Sequence, residues 1–148
     1  DDLFLGADMI LTPDERANIT VLENLKHFFT DIGFASLTFT QPDEHDRIIA
    51  YTSQLAHITS SAYVKSPEAA RRRGFSAGSY RDMTRVALLD EEMWTELFLA
   101  DADFLIQQLE ILIGNLNDYL AALKAGDGNK LQALLKEGRE KKAAAGGH

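Results

Sequence analysis

Asp46, Ser53 and His57 are separated by seven and then four residues. On an α-helix, at about 100° per residue, the three fall within roughly 20° of one line, with Ala50 close to it. A carboxylate, a hydroxyl and an imidazole on one face can hold a polar ligand or move a proton. Ile48, Ile49, Leu55 and Ile58 fill the rest of the stretch, so the face is a polar stripe about 16 Å long on an apolar helix. The plainer reading of the same residues is a hydrogen-bonded core histidine with a solvated aspartate near the helix start. They do not make a nucleophile triad: Ser53 is within reach of His57, but no strained turn or oxyanion donor accompanies the pair. They do not make a metal site either. His45 and His57 are twelve residues apart, about 120° around the helix, and do not converge.

The second constellation runs Gly78-Ser79-Tyr80-Arg81-Asp82-Met83-Thr84-Arg85, followed by Asp90 and Trp94. A glycine lets backbone approach a ligand. An arginine such as Arg85 can clamp a carboxylate through two parallel hydrogen bonds. Asp82, three residues earlier, offers the competing structural reading of an ion pair with that arginine. Trp94, the sole tryptophan, reads first as a core residue. Lys65, Arg71, Arg72, Arg73, Arg81 and Arg85 face only Glu68 and Asp82 in this region, while the whole chain carries net charge -8. A cationic island in an acidic protein suits a small anion better than a polymer. Arg71–Arg73 read equally well as a solvated helix end paired with acidic neighbours.

The elements that must position these residues are mostly helices. Asp8–Leu11 is a short apolar stretch. Thr12-Pro13-Asp14-Glu15 carries the signature of a helix start, with Thr12 as cap and Glu15 closing a capping box. That helix runs to about Ile32 with Ile19, Leu22, Leu25, Phe28 and Phe29 on one side, and Gly33 closes it. Ala35 to Thr40 alternates with the strand period of two. Residues 8–40 therefore read as strand, helix, strand, a unit that makes a parallel pair. Two parallel strands do not bury their faces alone, so this looks like the tail of an α/β domain whose other strands lie outside the chain.

From His45 onward the chain reads as all-helical. A long helix spans 45–65 and stops at Ser66-Pro67, which caps the next at Glu68. Residues 74–80 form a glycine-bearing break, and 82–88 resume a short helix. Asp90-Glu91-Glu92 starts another, with acid in the first turn as the helix dipole favours. The spacing of Leu105, Leu109, Leu112, Ile113, Leu116, Tyr119, Leu120 and Leu123 predicts a long amphipathic helix over 101–124. Gly126-Asp127-Gly128 is a turn, a last helix holds Leu131, Leu134 and Leu135, and His148 ends a frayed tail.

At 148 residues, 45% hydrophobic and 26% charged, the composition is that of a folded soluble chain. Absence of cysteine excludes disulfides, thiolate catalysis and cysteine zinc sites, and fits the reducing cytoplasm. No run is long and apolar enough for a membrane span. The acidic balance argues against nucleic acid and anionic membranes as partners. No phosphate-binding glycine motif is visible, since Gly126 and Gly128 follow no strand.

At these same residues the sequence resembles the prephenate/arogenate dehydrogenase family. The stretches that carry the likeness are His45-Asp46-Arg47-Ile48-Ile49-Ala50-Tyr51-Thr52-Ser53-Gln54-Leu55-Ala56-His57, Tyr80-Arg81-Asp82-Met83-Thr84-Arg85-Val86-Ala87 and Asp90-Glu91-Glu92-Met93-Trp94. The resemblance implies a mainly α fold: a helical dimerisation domain preceded by a short β-α-β remnant of a Rossmann-type nucleotide domain. The corresponding boundaries are 1–42, 43–142 and a disordered tail over 143–148. It implies NAD(P)-dependent oxidative decarboxylation of prephenate to 4-hydroxyphenylpyruvate in tyrosine biosynthesis, in a cytoplasmic homodimer. Ser53, His57 and Arg85 would contact the substrate's carboxylates, and Asp46, Gly78 and Trp94 would shape the pocket. NAD or NADP and the catalytic histidine would belong to the part upstream of Asp1, leaving this chain inactive alone. Tyrosine is implied as an inhibitor. Arogenate as substrate and a non-catalytic dimerisation module are the alternatives. Gln54 and Ala56 depart from the His and Pro found in many members.

Overall fold

The computed structural model describes residues 2–75 and 78–146, so Ser76 and Ala77 of the expected break, and Gly147 and His148 of the tail, lie outside the described residues. The chain forms two compact units, Asp1–Asp101 and Ala102–His148.

The first unit begins with β1 (Asp8–Leu11), α1 (Ile19–Asp31) and β2 (Ser36–Phe39). The strands pair in parallel, Asp8 opposite Ser36 and Leu11 opposite Phe39, and the Ser36 hydroxyl donates to the Asp8 carboxylate. Rings hold the unit's start together: Phe4 stacks on Phe34 at 4.9 Å, and Phe29 meets Phe34 edge-on at 5.5 Å. Gly33 sits just past α1 at φ 108, where a side chain would be strained. The helix does not start at the Thr12–Glu15 signature. The Asp14 carboxylate, exposed, accepts the Arg16 amide at 2.7 Å, closing a turn. Asn18 instead caps α1, accepting from the Thr20 amide at 2.9 Å. Both sites offer a capping side chain, and the one directly ahead of the apolar run prevails.

A continuous helical path then follows, from α2 (Pro42–Ile49) through a π-turn (Ala50–Gln54) to α3 (Leu55–Tyr63). It starts three residues before His45, with Pro42 in the first turn and Asp43 and Glu44 at the positive end of the dipole. Within the π-turn the Leu55 amide reaches back five residues to the Ala50 carbonyl. Ala50, Gln54 and Leu55 are all buried there. Ser66 caps a 3-10 turn over Pro67–Arg71 through the Glu68 amide. α4 spans Gly78–Thr84, so Gly78 opens a helix that was expected to start at Asp82 and run on to Leu88. α5 is Glu91–Ala100, capped by Asp90, whose side chain accepts the Met93 amide at 2.8 Å.

The second unit is a helical hairpin of α6 (Ala102–Ala125) and α7 (Gly128–Ala145). Asp127 caps α7 through the Lys130 amide at 2.9 Å. The Tyr119 hydroxyl donates to the Leu134 carbonyl at 3.3 Å, tying the two helices. α7 extends to Ala145, into the 143–148 stretch read as tail.

Candidate functional site

α3 carries His57 half-buried, and the Nδ1 of its ring lies 3.1 Å from the Val86 carbonyl oxygen. A carbonyl only accepts, so Nδ1 bears the hydrogen and donates. In the neutral ring Nε2 is then a bare acceptor. In the imidazolium it is a second donor. The Trp94 ring lies 4.0 Å from the His57 ring, tilted by 44°, and Phe98 backs the tryptophan at 5.3 Å. Trp94 is thus neither simple core nor free surface: it is half-buried and forms one wall beside the imidazole. The Asp90 cap fixes where α5 begins and so where that wall stands.

Arg85 is the residue before Val86, just past the end of α4, so the His57 hydrogen bond draws the arginine's backbone to the imidazole. Its side chain is exposed, and among the described residues no carboxylate pairs with it, Asp82 included. An exposed guanidinium without a carboxylate partner among the described residues is open to an anion. Ser53, half-buried in the π-turn, stands one turn before His57. Gly78 opens α4 with open space around the position a Cβ would take. The fold itself makes no demand for glycine there.

The expected single stripe is broken. A turn closed five residues back inserts one residue, which shifts the helix phase by about 100° between Asp46 and Ser53. Asp46 accordingly joins a different cluster: its carboxylate lies 2.8 Å from His45 Nδ1 and faces Asp101. Burial, and then the charge of Asp46, push the Asp101 carboxyl above the ordinary aspartate value, while a Gln54 hydrogen bond and His45 pull the other way. Gln54 Oε1 and Asp101 Oδ2 are both buried without a partner among the described residues. Sequence reading missed Asp101, because an aspartate between two helices looks like any other helix boundary. Among the described residues no three His, Asp or Glu side chains converge as metal ligands. The connection from β1 to α1, residues 12–18, holds no glycine, so these residues do not form a dinucleotide cradle.

Helices thus follow a parallel β-α-β unit, and they bring the His57 imidazole against the Trp94 indole and the backbone just after Arg85. The model of the family "Prephenate dehydrogenase, dimerization domain" matches residues 41–137, and the chain belongs to that family. It is 29% identical to the cyclohexadienyl dehydrogenase of Zymomonas mobilis over 150 residues, covering 97% of this chain and 50% of that protein. It is 25% identical to the prephenate dehydrogenase of Bacillus subtilis, covering 93% of this chain and 38% of that one. The chain thus spans half or less of the length of these relatives. The solved prephenate dehydrogenase of A. aeolicus, in complex with hydroxyphenyl propionate and NAD+, superposes with TM-score 0.81 at 26% identity, over 99% of this chain and 52% of that one. Synechocystis arogenate dehydrogenase shares the fold at TM-score 0.79 and 20% identity, over 98% of this chain and 54% of that one.

Proposed function

We propose that this chain is the substrate-holding and dimer-forming portion of an NAD(P)-dependent prephenate dehydrogenase. The observation that carries the reading is the hydrogen bond from His57 to the Val86 carbonyl, which sets the backbone just after the unpaired Arg85 against the His57–Trp94 pair. The parent reaction converts prephenate to 4-hydroxyphenylpyruvate: hydride leaves the carbon bearing the ring hydroxyl, and carbon dioxide departs as the ring aromatises. NAD or NADP would accept the hydride, held by a nucleotide domain of which residues 1–42 are the end. Residues 43–142 would form the helical domain.

Within this chain the work is binding. Arg85 takes one carboxylate through its planar fork. His57 contributes in either of two ways, according to its protonation state. Neutral, its Nε2 accepts from a hydroxyl such as that of Ser53 or of the substrate; protonated, it donates to the second carboxylate. Trp94 covers the pair and excludes water. Gly78 leaves room for close approach, and Asp46 acts on the pocket through the helix it anchors. A homodimer in the cytoplasm, with tyrosine as an inhibitor, completes the proposal.

The test is Arg85→Ala in the enzyme that contains the nucleotide domain. A charge-assisted carboxylate contact contributes on the order of 1.5–3 kcal/mol, so KM for prephenate should rise roughly 10- to 150-fold. Turnover changes little if the contact is equal in ground and transition states. Thermal stability should hold, since the side chain is exposed and unpaired. An unchanged KM in a stable variant overturns the clamp. Running arogenate in parallel assigns the substrate.

A further inference from the structure

α3 and α4 lie alongside each other in opposite directions: His57 meets Val86 at one end, and Tyr63 meets Tyr80 at the other, ring centroids 6.0 Å apart. His57 and Tyr63 are about 9 Å apart along the helix. Beside the tyrosine pair opens a cleft of about 700 Å³, lined also by Ser66, Glu68, Arg71, Arg72, Phe75 and Ser79, a size usual for small-molecule sites. The Arg72 guanidinium sits 4.9 Å above the Tyr80 ring. That stacking orients the planar fork while leaving its donors open. Arg71 already has an acidic neighbour, Glu68, at 4.0 Å. Among the described residues, Arg72 has none.

We propose that this cleft binds a small aromatic monocarboxylate, separately from whatever His57 and Arg85 hold. The two tyrosines offer edges and faces for a ring. Arg72 offers one uncompensated fork for one carboxylate, and the Ser66 and Ser79 hydroxyls offer polar contacts at the rim. Glu68 cancels the second arginine, which disfavours a dianion. The inference stands apart from the reading of the prephenate site.

The experiment is a proton–nitrogen NMR titration of the 148-residue chain with 3-(4-hydroxyphenyl)propionate, with propionate and phenol as half-probes. Saturating shifts are expected at the amides of Ser66, Ser79 and Tyr80, with both half-probes at least tenfold weaker. The Arg85→Ala chain should retain these shifts in full. Arg72→Ala, an exposed change that leaves the rest of the spectrum in place, should weaken them at least tenfold, and Arg72→Lys should recover only part. Absence of shifts at the cleft, an undiminished response in Arg72→Ala, or propionate binding as tightly as the full probe, an adventitious ion only, each overturns the proposal. If Arg85→Ala leaves KM untouched while the cleft titration holds, the prephenate reading fails and this one stands.

Discussion

Gly78 separates packing from function at the scale of one residue. A methyl group added there meets nothing within 4 Å, and its backbone is not left-handed. Alanine also favours a helix over glycine by up to about 1 kcal/mol. We therefore expect Gly78→Ala to leave the melting temperature unchanged or slightly raised. If Gly78 shapes the pocket, the same variant raises KM in the parent enzyme; normal KM would mean the glycine does nothing there. Asp101 makes a different point. Its carboxyl is raised by burial and by Asp46, so its charged form is disfavoured in the fold. The protonated form's stabilising contribution is complete below the ordinary aspartate value of about 3.9. It is lost as pH climbs through the raised value. Asp101→Asn should accordingly be more stable than wild type near neutral pH, with the difference shrinking toward zero in acid. Melting curves of both proteins across that range check it, and a difference independent of pH would refute the linkage.

At the scale of elements, the site depends on how helices begin and where one is interrupted. Asp90 accepts the Met93 amide and starts α5 one turn before Trp94. Losing a cap of this kind costs about 0.5–2 kcal/mol. Asp90→Ala should thus lower the melting temperature by several degrees, at roughly 4–8 °C per kcal/mol for a body of this size. Asp90→Ser should restore most of it. Equal loss in both variants would assign the effect to the charge and not to the cap. The π-turn matters more for geometry than for energy. It leaves Ser53 a turn from His57, while Asp46, before it, meets His45 and Asp101. A wholly α path would have aligned all three.

At the scale of the whole molecule, the chain exposes too much. Its accessible surface is 11851 Å². Two separate globular bodies of these sizes would expose roughly 9,000 Å² together. The surplus is of the order buried in stable subunit or domain interfaces. On α6, Ile113, Leu116, Leu120 and Leu123 are each about half exposed or more, and they recur every three or four residues as one apolar seam. A dimer covering that seam would account for part of the surplus. Leu116→Lys with Leu120→Lys should give a monomer at micromolar concentration by sedimentation, with helix content retained by circular dichroism. A dimer that survives both changes would place the interface elsewhere.

Local signals were legible without the structure. The 3.6-residue period set α6 to within a residue at each end, alternation marked β2, and Ser66, Asp90 and Gly33 punctuated the chain where they do in the fold. Each of these depends on a residue and its immediate neighbours, so sequence by itself determined them, along with the family likeness and the pairing of His57 with Arg85 as candidates. Competition between equally good local signals was not legible: Thr12 and Asn18 are both capping residues, and the helix starts at the second. The π-turn was not legible either, because no residue type demands it. Its consequence, the parting of Asp46 from His57, follows from the one residue that the turn inserts. The tautomer of His57 is set by a carbonyl twenty-nine residues away, and the elevated Asp101 by a helix more than forty residues earlier. Those properties come from tertiary structure alone, since burial and charge proximity exist only once distant segments meet.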